Sequence, residues 1–450
     1  MNGDMKSESS KKYYGAETEK SIVNFAISGM RLPSVFIKAM AEVKQACAET
    51  NMRLGYLDKP RGEAIISACE ELSLNNYDDQ IVVDVYQGGA GTSTNMNFNE
   101  VIAGLANEKL GEEVVHAIHH VNLHQSTNDV YPTALRISIL YLLKSLEQEL
   151  QTMQEVLQEK ELEFRDVVKL GRTQLQDAVP MTLGMEFGAW GEAIARDRWR
   201  IFKSRERIKQ INLGGTAIGT GLTAPREYIF RVTEQLRKLT GLSIARSENL
   251  VDATQNLDPI VEISGMLKTL GVNLFKISQD IRLLSSGPHG GLGEISLPEM
   301  QKGSSIMPGK VNPVMPEMIG QVSLKVMNND TLISQVAALG NLELNQFLPL
   351  LTITMLESME LLINSIPLFC QKCLNGITAN DQVCLGMVKS SGALATVLIN
   401  RLGYTQVEAL ILEAGERKKS LEEVILEKRL LTEKELKELL SPAQMYKLGF

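Results

Sequence analysis

The sequence has few of the features that mark disulfide-stabilised, nucleic-acid-binding or aromatic-rich proteins. Its 450 residues include five cysteines, an odd number that gives no disulfide framework. Acidic residues outnumber lysine and arginine by 54 to 46, and the net charge of −8 disfavours a nucleic-acid or anionic-membrane partner, since either requires a basic surface. Aromatic residues make up only 5% of the chain. An acidic protein with reduced thiols is therefore expected.

Long hydrophobic runs are also missing from the sequence. The first twelve residues, MNGDMKSESSKK, lack the apolar core of a signal peptide, and no later run approaches the eighteen residues of a membrane span. With 44% hydrophobic and 22% charged residues, the composition is that of a soluble globular protein with two to four domains. A cytoplasmic protein without a membrane partner is expected.

Two short motifs that can signal cofactor sites lack the necessary context. Cys370 and Cys373 form a CxxC pair within an apolar helical pattern, without a second CxxC or a nearby histidine pair, so buried thiols are the expectation. Residues 214–222, GGTAIGTGL, offer a GxG spacing, but no strand precedes them and no βαβ unit surrounds them. Neither motif predicts a cofactor.

Hydrophobic periodicity predicts an all-α protein with long helices. Apolar residues recur at steps of three and four from Ile139 to Leu157 and again from Ile260 to Leu284. Similar patterns cover about 180–210, 316–340 and 343–375. Five such helices predict a central bundle that buries some faces against other subunits. Capping-box signals at Ser420–Glu423 and Thr432–Glu435 predict short helices in the last stretch. The first part, to about residue 128, is expected to consist of short helices joined by loops. The expected domains are residues 1–128, 129–380 and 381–450.

A loop rich in glycine and proline interrupts these helices between Ser285 and Pro316, where there are six glycines and five prolines. A structureless segment of about thirty residues within a compact domain is usually a lid or a binding loop. Glycine before a serine pair lets backbone N–H groups converge on an anion, and a lysine and an asparagine add a charge and a directional amide. The loop therefore suits a small carboxylate, and a flexible linker is the alternative reading. The residues concerned are Ser304, Ser305, Lys310 and Asn312.

Two earlier segments carry hydroxyls and amides just before helical patterns. Thr92 lies in YQGGAGTSTNMNFNE, ahead of a helix expected to begin near Asn97. Residues 125–133, QSTNDVYPT, place Ser126, Thr127 and Asn128 at the start of a long helix, whose free N–H groups favour an anion. Simple helix capping is the alternative reading for both segments, and capping is compatible with anion binding.

Four of the five histidines lie between His116 and His124. Their spacing permits a metal site, but the sequence places no carboxylate partner beside them. A polar surface is the expectation for this segment.

The eleven residues Gly303–Pro313, GSSIMPGKVNP, closely resemble the signature loop of the aspartase/fumarase superfamily, GSSxMPxKxNP, and every fixed position is met. The segments containing Thr92, residues 125–133 and residues 171–180 resemble other conserved regions of that superfamily. This resemblance covers nearly the whole chain. It implies a three-domain all-α fold with a central five-helix bundle, and a homotetramer in which three chains build each active site.

The resemblance also implies roles for the polar residues. The reaction implied by this resemblance removes a proton from the carbon next to a carboxylate. Ser304 is expected to be the base, with its hydroxyl activated by loop N–H groups and nearby positive charge. Glu317 is expected to support the site. The remaining residues are expected to contact a dicarboxylate substrate: Thr92, Ser126, Thr127 and Ser305 at the β-carboxylate, Thr173, Lys310 and Asn312 at the α-carboxylate, and Asn128 with Gln174 near the amino group.

Within the superfamily, three features favour the members that release ammonia from L-aspartate over fumarases. These are STND at 126–129, VMPE at 314–317, and Gln174 where fumarases have histidine. Lys20 departs from the arginine that many members carry. The alternatives are a class II fumarase-type hydratase and a non-catalytic structural protein on the same fold. No cofactor is required by the chemistry, and a divalent-cation activator is left open.

Overall fold

Seventeen α-helices dominate residues 11–447, the part of the chain that this computed structural model describes. The first eight are α1 (Ala16–Asn24), α2 (Ser34–Arg53), α3 (Lys59–Ser73), α4 (Thr92–Leu110), α5 (Thr127–Glu163), α6 (Leu183–Ile208), α7 (Arg226–Thr240) and α8 (Leu250–Gln255). The others are α9 (Asp258–Leu284), α10 (Val314–Ala338), α11 (Leu348–Lys372), α12 (Asp381–Ser390), α13 (Ala393–Leu402), α14 (Tyr404–Arg417), α15 (Leu421–Glu427), α16 (Glu433–Leu439) and α17 (Pro442–Tyr446). The all-α class is confirmed.

Five of these helices have 25 or more residues: α5, α6, α9, α10 and α11. They coincide with the five periodic patterns in the sequence. In α5 and α9, none of the apolar residues that set the predicted pattern is more than 4% exposed. Burying one such stripe per helix supplies most of the stabilisation of long helices in a bundle. The longest, α5, has 37 residues and is about 55 Å long.

Six short strands accompany the helices within residues 11–447, and they were not predicted. The longest pair, β1 (Val168–Thr173) and β2 (Gln176–Thr182), forms an antiparallel hairpin with an irregular register after Leu170. The remaining four have two residues each: β3 (Gln210–Ile211), β4 (Ala245–Arg246), β5 (Ile295–Ser296) and β6 (Thr378–Ala379). The strand β3 pairs with β4, and β5 pairs with β6.

The chain divides into two compact units. The first contains the residues up to Leu146, together with Arg200–Lys268 and Lys325–Leu361. The second contains Glu147–Trp199, Thr269–Leu324 and the residues from Leu362 onwards. The three-domain division at residues 128 and 380 stays a prediction.

The N-terminal helices differ from the sequence expectations, whereas the C-terminal helices agree with them. Helices α2, α3 and α4 have 20, 15 and 19 residues, so the first part of the chain is not built of short helices as expected. The predicted capping boxes at Ser420 and Thr432 are both present. The short C-terminal helices also pack around their own apolar cluster, which includes Leu398, Leu410 and Val424.

Helix α11 is more apolar than the sequence analysis allowed. Together with the turn that follows it, Leu348–Gly376 is long and apolar enough to cross a membrane on length and composition alone, with a mean hydropathy of 1.3. The expectation that no run approaches a membrane span was therefore wrong as stated. However, 61% of this window is buried within the protein, and buried core helices pass the same test.

Candidate active site

A left-handed turn presents Thr92 at the start of α4. Gly89, Ala90 and Gly91 have successive φ values of 85°, 54° and 94°. Glycine is required at position 91, because a Cβ atom there would lie 2.4 Å from the ring of Tyr131. Thr92 is exposed, and its hydroxyl donates to the carbonyl of Gly89 at 2.7 Å. The helix therefore begins five residues earlier than predicted, with Thr92 in its first turn.

Because Gly91 has no side chain to cap α4, a more distant residue does so. The Gln87 Oε1 atom accepts hydrogen bonds from the backbone N–H of Thr94 at 3.0 Å and from its hydroxyl at 3.1 Å. The Gln87 amide donates to the carbonyl of Asp84 at 2.8 Å. Gln87 thus satisfies a free N–H of the first helical turn, the usual task of an N-cap residue.

The segment 126–129 is anchored by a buried carboxylate. Asp129 is fully buried and accepts from the N–H groups of Ser126 at 3.0 Å, Gly214 at 3.2 Å and Thr216 at 3.1 Å. Burial raises the pKa of Asp129 to about 6, although these hydrogen bonds act in the opposite direction. The Asn128 amide donates to the carbonyl of Ala217 at 2.8 Å. This stretch is therefore fixed to the loop that follows β3.

A buried lysine that the sequence analysis missed lies beneath the same stretch. Lys44 on α2 is fully buried, and its ammonium donates to Gln125 Oε1 at 2.9 Å and Asn122 Oδ1 at 3.1 Å. Burial lowers the pKa of Lys44 to about 8. The sequence does indicate that Lys44 is buried, because it lies in the apolar stripe of α2, four residues after Met40 and three before Cys47. An unpaired charge is costly at such a position.

One asparagine joins the first two candidate segments. The Asn95 amide, on α4, donates to Thr127 Oγ1 and to Asn122 Oδ1, both at 3.1 Å. The element that carries Thr92 is thereby connected to the element that carries Ser126 and Thr127. All of these residues belong to the first compact unit.

The hairpin between β1 and β2 places Thr173 and Gln174 at an exposed, strained turn. Gln174 and Leu175 form the two-residue loop, and both have positive φ values, 54° and 62°. Such a turn normally contains asparagine, aspartate or glycine, because side chains crowd the backbone in this conformation. Leu175 is 70% exposed. Strained residues of this kind persist where the surrounding structure fixes them, often at functional sites.

Buried charges hold the base of this hairpin. The carboxylate of Glu294 is fully buried and contacts Arg172 Nη2 at 2.8 Å and Lys169 Nζ at 3.2 Å. Lys169 also contacts Glu186 at 2.9 Å. The group contains two cations and two carboxylates, so it is balanced in charge, as buried ions require.

The signature loop makes its hydrogen bonds mainly to itself. Ser304 Oγ accepts from the N–H groups of Ile306 and Met307, both at 3.2 Å. The Asn312 amide donates to the carbonyl of Gly303 at 2.6 Å. A Cβ atom at Gly303 would lie 2.0 Å from the carbonyl oxygen of Lys310, so only glycine allows this closure. The lysine itself is exposed.

The predicted site residues fall into two groups. The first compact unit contains Thr92 and residues 126–128, and the second contains residues 173–174, residues 304–312 and Glu317. Glu317 is exposed at the start of α10. Outside both groups, the Lys20 ammonium lies 2.6 Å from Glu17 on its own helix, and both side chains are largely exposed.

The histidine segment forms a tight π-helical turn, Ala117–Val121. His116 Nδ1 accepts from the N–H groups of Ile118 at 3.1 Å and His119 at 3.3 Å, and His120 Nδ1 accepts from the N–H of His116 at 2.8 Å. Within residues 11–447, no group of three or more His, Cys, Asp or Glu side chains could hold a metal ion. In this turn the imidazoles cap the backbone.

The candidate side chains are hydroxyls, amides and one lysine, with Glu317 as the single carboxylate. Hydroxyls and amides at helix starts, where the helix dipole is positive, favour a bound anion. The lysine adds a charge-assisted hydrogen bond to a carboxylate. Two hydrogen bonds donated to Ser304 Oγ would stabilise that oxygen as it loses its proton. The set is therefore suited to binding a small dicarboxylate and removing a proton from it.

Sequence comparisons match nearly the whole chain to lyases. The family described as "Lyase" matches residues 5–328, and "Fumarase C C-terminus" matches residues 394–447. An aspartate ammonia-lyase from a Bacillus species is 44% identical over 438 residues, which cover 96% of this chain and 94% of the relative.

Solved structures agree with this match. A protein from Brucella melitensis described as "fumarate lyase:delta crystallin", bound to cobalt, has a TM-score of 0.92 and 40% identity, with 96% of each chain covered. A class II fumarase from Schistosoma mansoni has a TM-score of 0.91 and 34% identity, covering 98% of this chain and 97% of its own.

Proposed function

Because this chain belongs to the aspartase/fumarase superfamily of lyases, we propose that it catalyses the reversible deamination of L-aspartate to fumarate and ammonia. The observation that carries this proposal is the 44% identity to an aspartate ammonia-lyase over 96% of the chain. The chain is therefore a carbon–nitrogen lyase. The signature loop and the polar segments at 92 and 126–128 supply the groups that the reaction needs.

The difficult step is removal of a proton from the carbon next to the β-carboxylate, because it leaves a doubly negative aci-carboxylate. Ser304 is the proposed base. Its Oγ atom already accepts two backbone N–H groups at 3.2 Å, which stabilise negative charge on that oxygen. The deprotonated Oγ of Ser304 takes the proton and becomes a hydroxyl, the C–N bond then breaks on the opposite face, and the amino group, already protonated in the substrate, leaves as ammonium. This is an anti elimination.

Stabilisation of the aci-carboxylate is assigned to Thr92, Ser126, Thr127 and Ser305. Thr92 and Thr127 are the first residues of α4 and α5, where free N–H groups favour negative charge. Hydrogen bonds that strengthen as charge develops lower the barrier more than bonds that are equally strong throughout. This set therefore contributes mainly to kcat.

The other end of the substrate is assigned to a second set of residues. Thr173, Lys310 and Asn312 bind the α-carboxylate, and Asn128 with Gln174 lies near the amino group. Glu317 follows the loop in the first turn of α10 and supports it. Lys310 is exposed, so its ammonium is free to meet a ligand.

No metal or organic cofactor is required by these steps. A divalent activator in the histidine segment is not supported, because Nδ1 of His116 and of His120 already accepts backbone hydrogen bonds and, within residues 11–447, no group of three or more His, Cys, Asp or Glu side chains could hold a metal ion.

We further propose a homotetramer in the cytoplasm, with each site built from three chains. The candidate residues lie in three separate regions of the sequence beside long helices, namely 92 with 126–128, 173–174 and 304–312, and α9 alone is about 40 Å long. Mixed refolding tests this arrangement. Ser304→Ala and Thr173→Ala proteins, each nearly inactive, are expected to regain activity when they form mixed tetramers. Mixed tetramers as inactive as their parents would contradict shared sites.

Hydration of fumarate is the second candidate function. It is favoured by the likeness to the Schistosoma mansoni class II fumarase and by the match to a fumarase C-terminal region. Gln174 weighs against it, because the superfamily resemblance implies histidine at this position in fumarases.

The test is the rise in fumarate absorbance with L-aspartate and, separately, with L-malate. The proposed function predicts fumarate from aspartate and little or none from malate. Fumarate formed from malate but not from aspartate would replace the proposal with the second candidate.

A further inference from the structure

The carboxylate of Glu294 has no role in the proposed chemistry, yet it is fully buried between two segments that carry candidate residues. It lies in the loop that leads to Ser304, just before β5. On one side it contacts Arg172, the residue directly before Thr173, at 2.8 Å. On the same side it contacts Lys169, which is 1% exposed, at 3.2 Å. The two cations belong to β1, the first strand of the strained hairpin.

The backbone of Glu294 is held equally firmly. Its N–H donates to the carbonyl of Leu284, at the end of α9, at 2.9 Å. Its carbonyl accepts from the N–H of Asn380 at 2.9 Å and from the Cys384 thiol at 3.5 Å. The first residue after it begins β5, which pairs with β6. Glu294 and the adjoining strand β5 therefore form a firmly fixed point before the exposed signature loop.

We propose that Glu294 is a positioning residue for the reaction, which ties the Thr173–Gln174 turn to the fixed end of the Ser304 loop through Arg172 and Lys169. This inference rests on the proposed function and adds a residue to it. All the residues involved belong to the second compact unit. A buried ion pair of this kind contributes little net stability, but it specifies one geometry, because each charge is costly without its partner.

The strained turn explains why such a tie is needed. Gln174 and Leu175 both adopt left-handed conformations that L side chains disfavour, so the turn relaxes unless its base is fixed. Fixing Arg172 fixes the backbone one residue before Thr173. A displacement of about 1 Å at a substrate contact can lower the rate about 100-fold.

A matched pair of isosteric variants tests this role. Glu294→Gln removes the charge that holds Arg172, whereas Glu186→Gln removes the other carboxylate that contacts Lys169 and leaves Arg172 paired. Burial raises the pKa of Glu186, so its neutral form is already less costly than usual. We expect kcat/KM for L-aspartate to fall about 10- to 100-fold in Glu294→Gln, mainly through KM. The loss in Glu186→Gln is expected to be less than about 3-fold.

Double variants distinguish a positioning role of Glu294 from a general loss of structure in the protein. If Glu294 acts through the turn, Glu294→Gln will cost less than about 3-fold in a Thr173→Ala background, but its full effect in a Ser126→Ala background. Equal losses in the wild-type and Thr173→Ala backgrounds would overturn the inference. If Glu294→Gln does not fold, Lys169→Met/Glu294→Gln keeps the buried group balanced in charge and is expected to show the same pattern.

Hydrogen exchange gives a readout that does not depend on activity. Amides at residues 173–176 are expected to exchange at least about 10-fold faster in Glu294→Gln than in Glu186→Gln. Equal exchange in the two variants would overturn the inference. A wild-type protein inactive on aspartate would instead defeat the proposed function, while the exchange result would still decide the role of Glu294.

Discussion

Two segments that carry candidate substrate contacts are held in opposite ways. Residues 122–129 are fixed from beneath by Lys44 and by Asp129, two fully buried charged residues. The loop 303–312, in contrast, makes its hydrogen bonds mainly within itself, among the residues that the structure describes. Several of its side chains are exposed, Ile306 by 83%.

The difference indicates that residues 122–129 form a preformed anion site, whereas the loop 303–312 closes on the substrate. Groups that stabilise developing charge are most effective when they are already in place, because no reorganisation is then needed during the reaction. A lid must open to admit substrate, and mobile loops are drawn from the least stable parts of a protein. The base is proposed to lie on the loop, together with Ser305, whereas the anion-stabilising hydroxyls of Ser126 and Thr127 lie on the rigid segment.

The largest effect is expected when the loop loses its base. Ser304→Ala should lower kcat about 100- to 10,000-fold with KM little changed, because a general base acts only in the transition state. Steady-state kinetics with L-aspartate will show this. The affinity of a dicarboxylate inhibitor serves as the control and should stay near the wild-type value. Turnover close to that of the wild type would eliminate Ser304 as the base.

The rigid segment is tested by Lys44→Met, which removes two buried hydrogen bonds and should cost about 3 kcal/mol of stability. The pH dependence gives a sharper result. Burial lowers the pKa of Lys44 from its ordinary value of 10.5 to about 8. Between these values the unfolded chain binds more protons than the folded one, so the wild type gains stability as the pH rises through 8.

The difference in melting temperature between wild type and Lys44→Met should therefore widen from pH 7 to pH 9. Lys38→Met, a variant on the same helix whose ammonium lies over the Tyr141 ring, is the control. For that control the difference should change little with pH. If the difference in melting temperature between wild type and Lys44→Met stays constant or narrows as the pH rises, Lys44 is not a desolvated charge in the folded protein.

A smaller effect is expected when the loop loses its lysine. Lys310→Ala should weaken the binding of L-aspartate and of a dicarboxylate inhibitor alike, by about 10- to 100-fold, because a charge-assisted hydrogen bond acts in the ground state and in the transition state. Lys302→Ala, an exposed lysine just before the signature, is the control. Unchanged inhibitor affinity in Lys310→Ala would place this residue outside the site.

The smallest effect concerns the strained turn. Leu175→Gly removes a side chain from a left-handed position and should stabilise the protein by less than about 1 kcal/mol. Leu222→Gly is the matched control, since Leu222 is 87% exposed and lies outside the left-handed region. Thermal unfolding should show a slightly higher melting temperature for Leu175→Gly and none of this gain for the control. A lower melting temperature for Leu175→Gly would mean that the turn is not strained.

The long helices could be predicted because their pattern repeats many times. From Ile260 to Leu284 the apolar residues at steps of three and four reinforce the same 3.6-residue period, and the residues of this pattern are buried. The capping boxes at Ser420 and Thr432 could also be predicted, because both residues of each box lie within one helical turn. The β1–β2 hairpin could not be predicted, because its turn residues, Gln174 and Leu175, are not those that normally indicate a hairpin.

The candidate site divides in the same way. The motif residues could be named from the sequence because the resemblance to the superfamily is carried by contiguous segments. Charged residues are normally exposed, and the partners of Lys44 and Glu294, which are Gln125 and Arg172, could not be predicted because they are distant in the sequence. Only the fold brings these partners together.

Addition of ammonia to fumarate in deuterated water tests the central claim most directly, by proton NMR of the product. The account predicts L-aspartate with one deuterium at the carbon next to the β-carboxylate, in the single configuration that anti addition gives. The same incubation with Ser304→Ala should yield almost no labelled product. Malate as the main product of the wild-type enzyme, or aspartate labelled in both configurations, would contradict the account.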